Sequence, residues 1–263
     1  MSADFIQLLV GGILLGGIYG LAAFGLSITF GVLNVLNLAH GEFLMLGSLM
    51  SYGLFIGLGI NPFMAAILVI PVFMLLGVGF YLLLLKPIMD KPPHQLLVAS
   101  ILVTLGASLF IEDVTAFFWE RPVTGISYSL PPMELAGVVI SSTRLLILLF
   151  IFALACGIQI YLKKTYVGKS IRAIVQGREG AKVVGIPISR ISALAFSIGM
   201  ALAASAGAFY VTLFTVTPVM GIPLTIKYLC VVVLGGLGSI VGSIFGGLIL
   251  GVAETLTAYY CGA

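Results

Sequence analysis

The sequence predicts an all-α integral membrane protein, a polytopic bundle of about eight membrane segments, some of them broken or re-entrant. Three observations carry that prediction. Only 8% of the 263 residues are charged while 61% are hydrophobic, and the mean hydropathy is +1.26. Soluble domains carry roughly 25% charged residues, so this chain lacks the polar side chains to cover a water-facing surface. Uncharged stretches also outrun the ~20 residues that a helix needs to cross hydrocarbon. Neither Phe5 to Ala39 nor Phe43 to Leu85 contains Asp, Glu, Lys, Arg or His. Finally, glycines recur at four-residue spacing as Gly12, Gly16 and Gly20, and again as Gly238, Gly242 and Gly246 with Gly247 and Gly251 beside them. That spacing puts them on one helical face, where two backbones can approach closely. Residues 1–263 read as a single transmembrane domain with no room for a soluble enzyme domain.

The elements follow in order. MSADFIQLLVGG has no cationic region before its apolar run, so the first apolar segment reads as a retained span over 5–31 and not as a cleaved signal peptide. Gly31, Asn34 and Asn37 are weak helix formers and break it. Asn61-Pro62 divides the next run into helices over 43–60 and 62–85, because the residue before proline is pushed out of the helical region. KPIMDKPPHQ, residues 86–95, is a proline-rich loop, followed by a span over 96–118. Residues 119–142 are polar and turn-rich, with Pro122, Pro131 and Pro132, and a span over 144–162 comes next. The long hydrophilic segment is 163–190. Ile191 to Ile226 is again uncharged, with Pro218 and Pro223 ending a helix near 215, and GGLGS, residues 235–239, leads into a last helix reaching residue 260.

Loop charge sets the expected orientation. Residues 163–190 hold Lys163, Lys164, Lys169, Arg172, Arg178, Lys182 and Arg190, 7 of the 12 cations, so this loop is expected in the cytoplasm. Lys86 and Lys91 put 86–95 on the same side, and the 119–142 loop, with Arg121 beside Glu120 and Glu134, belongs outside.

Several chemistries are excluded. GKS at 168–170 fails the Walker pattern because position 163 is Lys163 where a glycine is needed. His40 and His94 are the only histidines, and no HExxH, CxxC or GxSxG occurs. Cys156, Cys230 and Cys261 form no such pair and read as buried apolar residues. An ion-coupled carrier would place carboxylates at membrane depth. The candidates Glu42, Glu112, Asp113 and Glu254 all fall at predicted span ends, which weakens that alternative.

Two segments invite a functional reading. In 163–190, Ile171, Ile174 and Val175 fit one helical face between cations, a pattern that suits either a lipid surface or a groove on a partner. NLAHGEF, residues 37–43, reads either as a polar turn at headgroup level or as a broken helix inside the membrane, with Asn34, Asn37 and His40 satisfying freed backbone groups. GGLGS interrupts its own apolar run in a comparable way. Paired interruptions point to a transport path, so Asn34, Asn37, His40, Gly41 and Glu42, with Gly235, Gly236 and Gly238, are the candidate path residues.

EGAKVVG, residues 179–185, resembles the cytoplasmic EAA-x3-G signature of ABC importer permeases, with Glu179, Ala181 and Gly185 in the matching positions and Gly180 replacing the first alanine. Together with GLSITFGVLNVLNLAHGEFLMLG (25–47), GKSIRAIVQGREGAKVVGI (168–186) and VVVLGGLGSIVGSIFGGLILGVAE (231–254), it makes the chain similar to the branched-chain amino acid permeases of the LivH/LivM family, nearer the LivH type. Members usually continue past the position of Cys261 into a further hydrophobic segment. The resemblance implies a multi-pass subunit of a bacterial or archaeal cell membrane, the inner membrane in a Gram-negative cell. It implies a LivM-type sister permease, two ATPase subunits that bind ATP and Mg in place of any cofactor here, and an extracytoplasmic protein delivering leucine, isoleucine or valine, with no nucleic acid involved. Related permeases carry other amino acids, short amides or sugars. The implied coupling loop includes Gly168, Lys169, Ile171, Arg172, Arg178, Glu179, Gly180, Ala181 and Gly185.

Overall fold

Lipid tails are as apolar as leucine, so membrane helices associate by close packing more than by escape from water. In the computed structural model the helix α8 (Ile188–Tyr210) is buried along nearly its whole length, and its sequence is dominated by Ala, Ser and Gly. The structure describes residues 2–262 apart from 120, 121, 124, 127, 129, 132, 136 and 137. Expectations placed on Glu120, Arg121 and Pro132 lie outside those residues.

α1 (Ser2–Leu33), α2 (His40–Leu58) and α3 (Pro62–Phe80) pack against α8, and α4 (Pro93–Phe118) and α5 (Ser142–Lys164) follow α3 in the chain. Two short helices, α6 (Tyr166–Gln176) and α7 (Arg178–Val183), precede α8, and α9 (Gly221–Gly235) and α10 (Ile240–Cys261) follow it. Among the described residues, 8 helices are long and apolar enough to cross a membrane, with α3 continuing to Ile88 and α9 starting from the turn at Pro218. A two-stranded antiparallel hairpin, β1 (Met133–Leu135) and β2 (Val138–Ile140), lies in the α4–α5 connection.

Small residues set the crossings. A Cβ on Gly25 would meet the backbone of Gly199, one on Gly47 that of Ala204, and one on Gly77 that of Ser197. α1, α2 and α3 therefore all touch α8 backbone to backbone. α1 and α10 form the most extensive helix pair. They run antiparallel, with Gly12 against Val252, Gly16 against Leu248 and Gly20 against Ile244, while Gly247 and Gly251 face back onto Gly20 and Gly16. The second glycine series is split between partners. Gly242 and Gly246 face Gly235 and Val231 of α9, and Gly238 lies against Gly31.

Several boundaries differ from the sequence reading. Asn61 accepts from Met64 N at 2.8 Å and caps α3 as its Asn-Pro position suggests. The 86–95 loop is shorter than expected, because Pro87 and Pro93 sit in first turns, where a missing N–H costs nothing. α8 ends at Tyr210 without a proline; Pro218 opens a 3-10 turn and Pro223 lies in the first turn of α9. The three cysteines are exposed, not buried.

Lys86, Asp90 and Lys91 line one cavity of about 690 Å³ together with Arg178, Glu179 and Lys182. The two basic loops thus share an end, hereafter the basic end. At the other end Val123 pairs with Val216, and Ile126 N donates to Val211 O at 3.0 Å. Outward faces carry large apolar side chains such as Leu75, Leu83 and Phe117, as a lipid-facing surface requires.

The α1–α10 seam is testable. A Cβ on Gly16 would lie 2.6 Å from Leu248 Cα, whereas Gly53 has open space. Gly16→Ala should lower stability by about 1–3 kcal/mol, the usual cost of overpacking, and Gly53→Ala should not. Thermal unfolding in detergent, followed by size-exclusion chromatography, reads the difference.

Candidate functional site

α1 ends at Asn34, the only described non-glycine residue with positive φ, at 53°. Asn tolerates the left-handed region better than most side chains. Gly31, by contrast, stays helical. Residues 34–37 then run without regular structure, and α2 starts at His40. The His40 ring Nε2 donates to Ala22 O at 2.9 Å. Ala22 lies eleven residues before Leu33 on α1, about 16 Å along the axis at 1.5 Å per residue. The chain therefore turns back into the bundle before α2 begins. Asn37, His40, Gly41 and Glu42 are buried, which favours the broken helix over a turn at headgroup level.

Backbone groups in such a break must be satisfied within the protein. Two threonines do most of this. Thr104 of α4 accepts from Leu38 N at 3.0 Å, and its hydroxyl lies 3.3 Å from Leu36 O. Thr225 of α9 accepts from Gly41 N at 2.7 Å and can donate to Leu38 O or Gly221 O, each at 3.0 Å. Asn37 Oδ1 accepts from Ala39 N at 3.1 Å, and its amide reaches Met200 Sδ at 3.6 Å. Asn37 bonds the freed backbone as expected, whereas His40 bonds Ala22 O within α1 and Asn34 is exposed; neither threonine stood out in the sequence.

Gly41 is where α2 meets α9. A Cβ there would collide with Gly221 O and with the Thr225 hydroxyl. α9 itself has 15 residues, about 22 Å, and reaches spanning length only together with the turn that starts at Pro218. Its first residue lies beside Gly41, inside the bundle. Two helices thus begin face to face at mid-depth, α2 running toward one end and α9 toward the other. The partner of the 34–39 break is the 211–220 connection, not GGLGS. Gly235, Gly236 and Gly238 instead form a tight turn at the basic end. There Gly236 and Gly238 have φ of 89° and 81°, and Ser239 caps α10 by accepting from Gly242 N.

Glu42 sits at this meeting point. Ser108 Oγ donates to its Oε1 at 2.8 Å, its Oε2 has no partner, and a Cβ on Gly221 would run into the carboxylate. Helix N-termini carry partial positive charge, so a carboxyl group in the first turn of α2, against the first residue of α9, is placed where both ends favour it. Glu42 is therefore not at a span end. Neither is Glu254, the fifteenth residue of α10, which pairs with Lys227 of α9 at 2.8 Å.

The basic end carries the second candidate region. Thr165 caps α6, accepting from Gly168 N at 3.3 Å. A Cβ on Gly168 would strike Leu162 O, and Arg172 donates to Leu162 O at 2.6 Å, closing the C-terminus of α5. Ile171 and Ile174 are buried, while Val175 is exposed and does not share their face. Gly168, Ile171 and Arg172 thus fasten α6 to the bundle, and Lys169 remains exposed. On α7, Ala181 is the buried anchor, and Gly185 (φ 80°) turns the chain so that Ile186 N reaches Ala181 O at 3.0 Å. Glu179, Gly180, Lys182, Val183 and Val184 are exposed. Arg178, Glu179 and Lys182 line the 690 Å³ cavity, where the exposed Asn34 joins them.

Membrane helices broken in pairs at mid-depth, over a short amphipathic hook at one end, define a polytopic transport permease. The chain belongs to the family described as branched-chain amino acid transport system, permease component, which it matches over residues 8–263. It is 29% identical to the high-affinity branched-chain amino acid transport system permease protein BraD of Pseudomonas aeruginosa, over 97% of this chain and 86% of that one. It is also 29% identical to LivH of Salmonella typhimurium, over 97% and 87%, and 27% identical to a probable LivH of Methanocaldococcus jannaschii, over 97% and 81%. No solved structure shows a significant match.

The threonine clamp has a clean test. Thr225→Val leaves Gly41 N–H buried without an acceptor, which costs about 1–3 kcal/mol, and Thr225→Ser keeps the oxygen. Thermal unfolding should place the Val variant well below wild type and the Ser variant close to it.

Proposed function

We propose that this chain is the membrane-spanning permease subunit of an ATP-driven importer and moves branched-chain amino acids inward by alternating access. Family membership and the names of the relatives support the substrate class. The observation that carries the coupling to a partner is the surface of α7. Val183 is 86% exposed and Val184 74%, at the basic end, beside the exposed Glu179 and Lys182. Two bare valines flanked by charges on a water-side helix suit a groove on another protein better than solvent. That partner is an ATPase subunit, and two such subunits bind the ATP and Mg that this chain does not.

The assembly is completed by a LivM-type sister permease and by an extracytoplasmic protein that delivers the amino acid. In this reading the basic end faces the cytoplasm. Motion of the ATPases reaches the bundle through Ala181 and through α6, which Arg172 ties to α5. The break at 34–42, with Asn37, His40, Gly41 and Glu42 buried, and the facing start of α9 form the fixed wall beside the path. Glu42 and Glu254 at membrane depth are also what an ion-coupled carrier would show, so the partner experiment decides between the two.

Affinity purification from native membranes in mild detergent, read by mass spectrometry, should recover two ATPases and a sister permease. Val183→Asp with Val184→Asp changes only exposed side chains. It should cut ATPase recovery by more than tenfold while the sister permease stays bound. Retained ATPase in the variant would move the docking contact elsewhere, and a wild-type chain purified without ATPase would favour the ion-coupled carrier.

A further inference from the structure

The face of α9 and α10 carries a pair of opposite charges beside the glycine seams. Lys227 Nζ donates to Glu254 Oε1 at 2.8 Å and to the Tyr19 hydroxyl at 3.1 Å, and lies 4.9 Å from the Tyr19 ring centre. Tyr19 is twelve residues inside the apolar span that begins at Gln7. The pair is thus at membrane depth, yet its side chains are 32% and 39% exposed. An ion pair facing lipid tails is expensive, and such residues face a wet cavity or a protein interior. The bundle is already held by its glycine seams, which engage neither residue.

Inward from the pair runs a line of polar aromatic groups. The Tyr19 and Tyr228 rings meet edge to face at 6.0 Å, and Tyr228 meets His40 at 6.3 Å. Tyr228 is fully buried and its hydroxyl has no partner. Polar capacity therefore extends from the exposed pair to the break at 34–42.

We infer that Lys227 and Glu254 form a transit site for the zwitterionic head of an α-amino acid, the ammonium taken by Glu254 and the carboxylate by Lys227. This rests on the importer reading above. The chemistry fits in three ways. An α-amino acid carries an ammonium and a carboxylate one carbon apart, opposite in sign to Glu254 and Lys227, whose charged atoms lie 2.8 Å apart. Exchange of one neutral pair for two leaves the site neutral, which a low-dielectric region requires. Both side chains have hydrogen-bonding capacity beyond their mutual contact, since an ammonium offers three donors and a carboxylate two oxygens. Cys230, one turn along α9 from Lys227, and Ile226 beside it are both exposed and give an apolar flank for an aliphatic side chain. The site recognises the head group shared by leucine, isoleucine and valine and leaves selection among them to other parts.

Cys230 supplies a native reporter. The assembled transporter, in proteoliposomes without its binding protein, is treated with a water-soluble methanethiosulfonate reagent, and Cys230 modification is measured by peptide mass spectrometry. Modification should proceed and should slow at least threefold with L-leucine. Equal concentrations of isoamylamine, which lacks the carboxylate, or 4-methylpentanoate, which lacks the ammonium, should not slow it. In Lys227→Met with Glu254→Gln, Cys230 should stay reactive and leucine should no longer protect. An unreactive Cys230, no protection by leucine, or equal protection by either half-ligand overturns the site on wild-type protein alone, whether or not the double variant assembles. ATP-driven leucine uptake by the same vesicles, with binding protein added, separates the two readings. Uptake without protection sinks only the transit site, and absence of uptake sinks the importer reading with it.

Discussion

Two helices that start toward each other in the middle of a membrane protein bring their positive ends together, and the rest of this structure is arranged around that meeting. Gly41 and Gly221 are in contact because neither carries a Cβ. Glu42 places its carboxyl group against both ends and is held by Ser108. Thr104 and Thr225 satisfy the backbone that the break exposes. Any one of these alone would be an ordinary feature. Together they turn a run of six non-helical residues into a rigid internal joint.

The joint needs a frame that does not yield, and the small residues provide it. α8 presents backbone to α1, α2 and α3 at Gly199, Ala204 and Ser197. α10 closes against α1 through Gly247 and Gly251, and against α9 through Gly242 and Gly246. Backbone contact of this kind leaves little freedom for helices to slide past one another. α6 and α7 sit outside this frame, at the basic end. α6 is fixed to α5 by Arg172 and to the core by Ile171 and Ile174, so a displacement of α7 is passed on to whole helices.

How much of this could be read from the chain depends on the kind of signal. Spans showed because apolar runs are long, and Asn61-Pro62 showed because proline has one strong local meaning. The Gly12-Gly16-Gly20 seam showed through its period. The basic loops shared an end because cations bias topology. The dip of α9 did not show, because the apolar run continues through it and Pro218 and Pro223 read as a helix end. Thr104 and Thr225 did not show because a threonine on an apolar helix has an ordinary role, bonding the carbonyl four residues back, as both also do here. GGLGS does not pair with the 34–39 break, because Gly236 and Gly238 form the turn between α9 and α10 and Gly235 packs on Gly242. Lys227 carried a legible signal that went unused: it is the only cation after Arg190.

The α1–α10 seam bears on how the protein is made. α1 is synthesised before α10, and its Gly12, Gly16 and Gly20 pack on α10, whose first residue is 207 positions after Leu33 (240 − 33). At roughly 5–20 residues per second, α1 spends on the order of 10–40 s in the membrane with that face uncovered. During this time its glycine groove is open to lipid, to the insertion machinery, or to the same groove on another nascent chain. The order of synthesis is thus a constraint on the seam in addition to its packing.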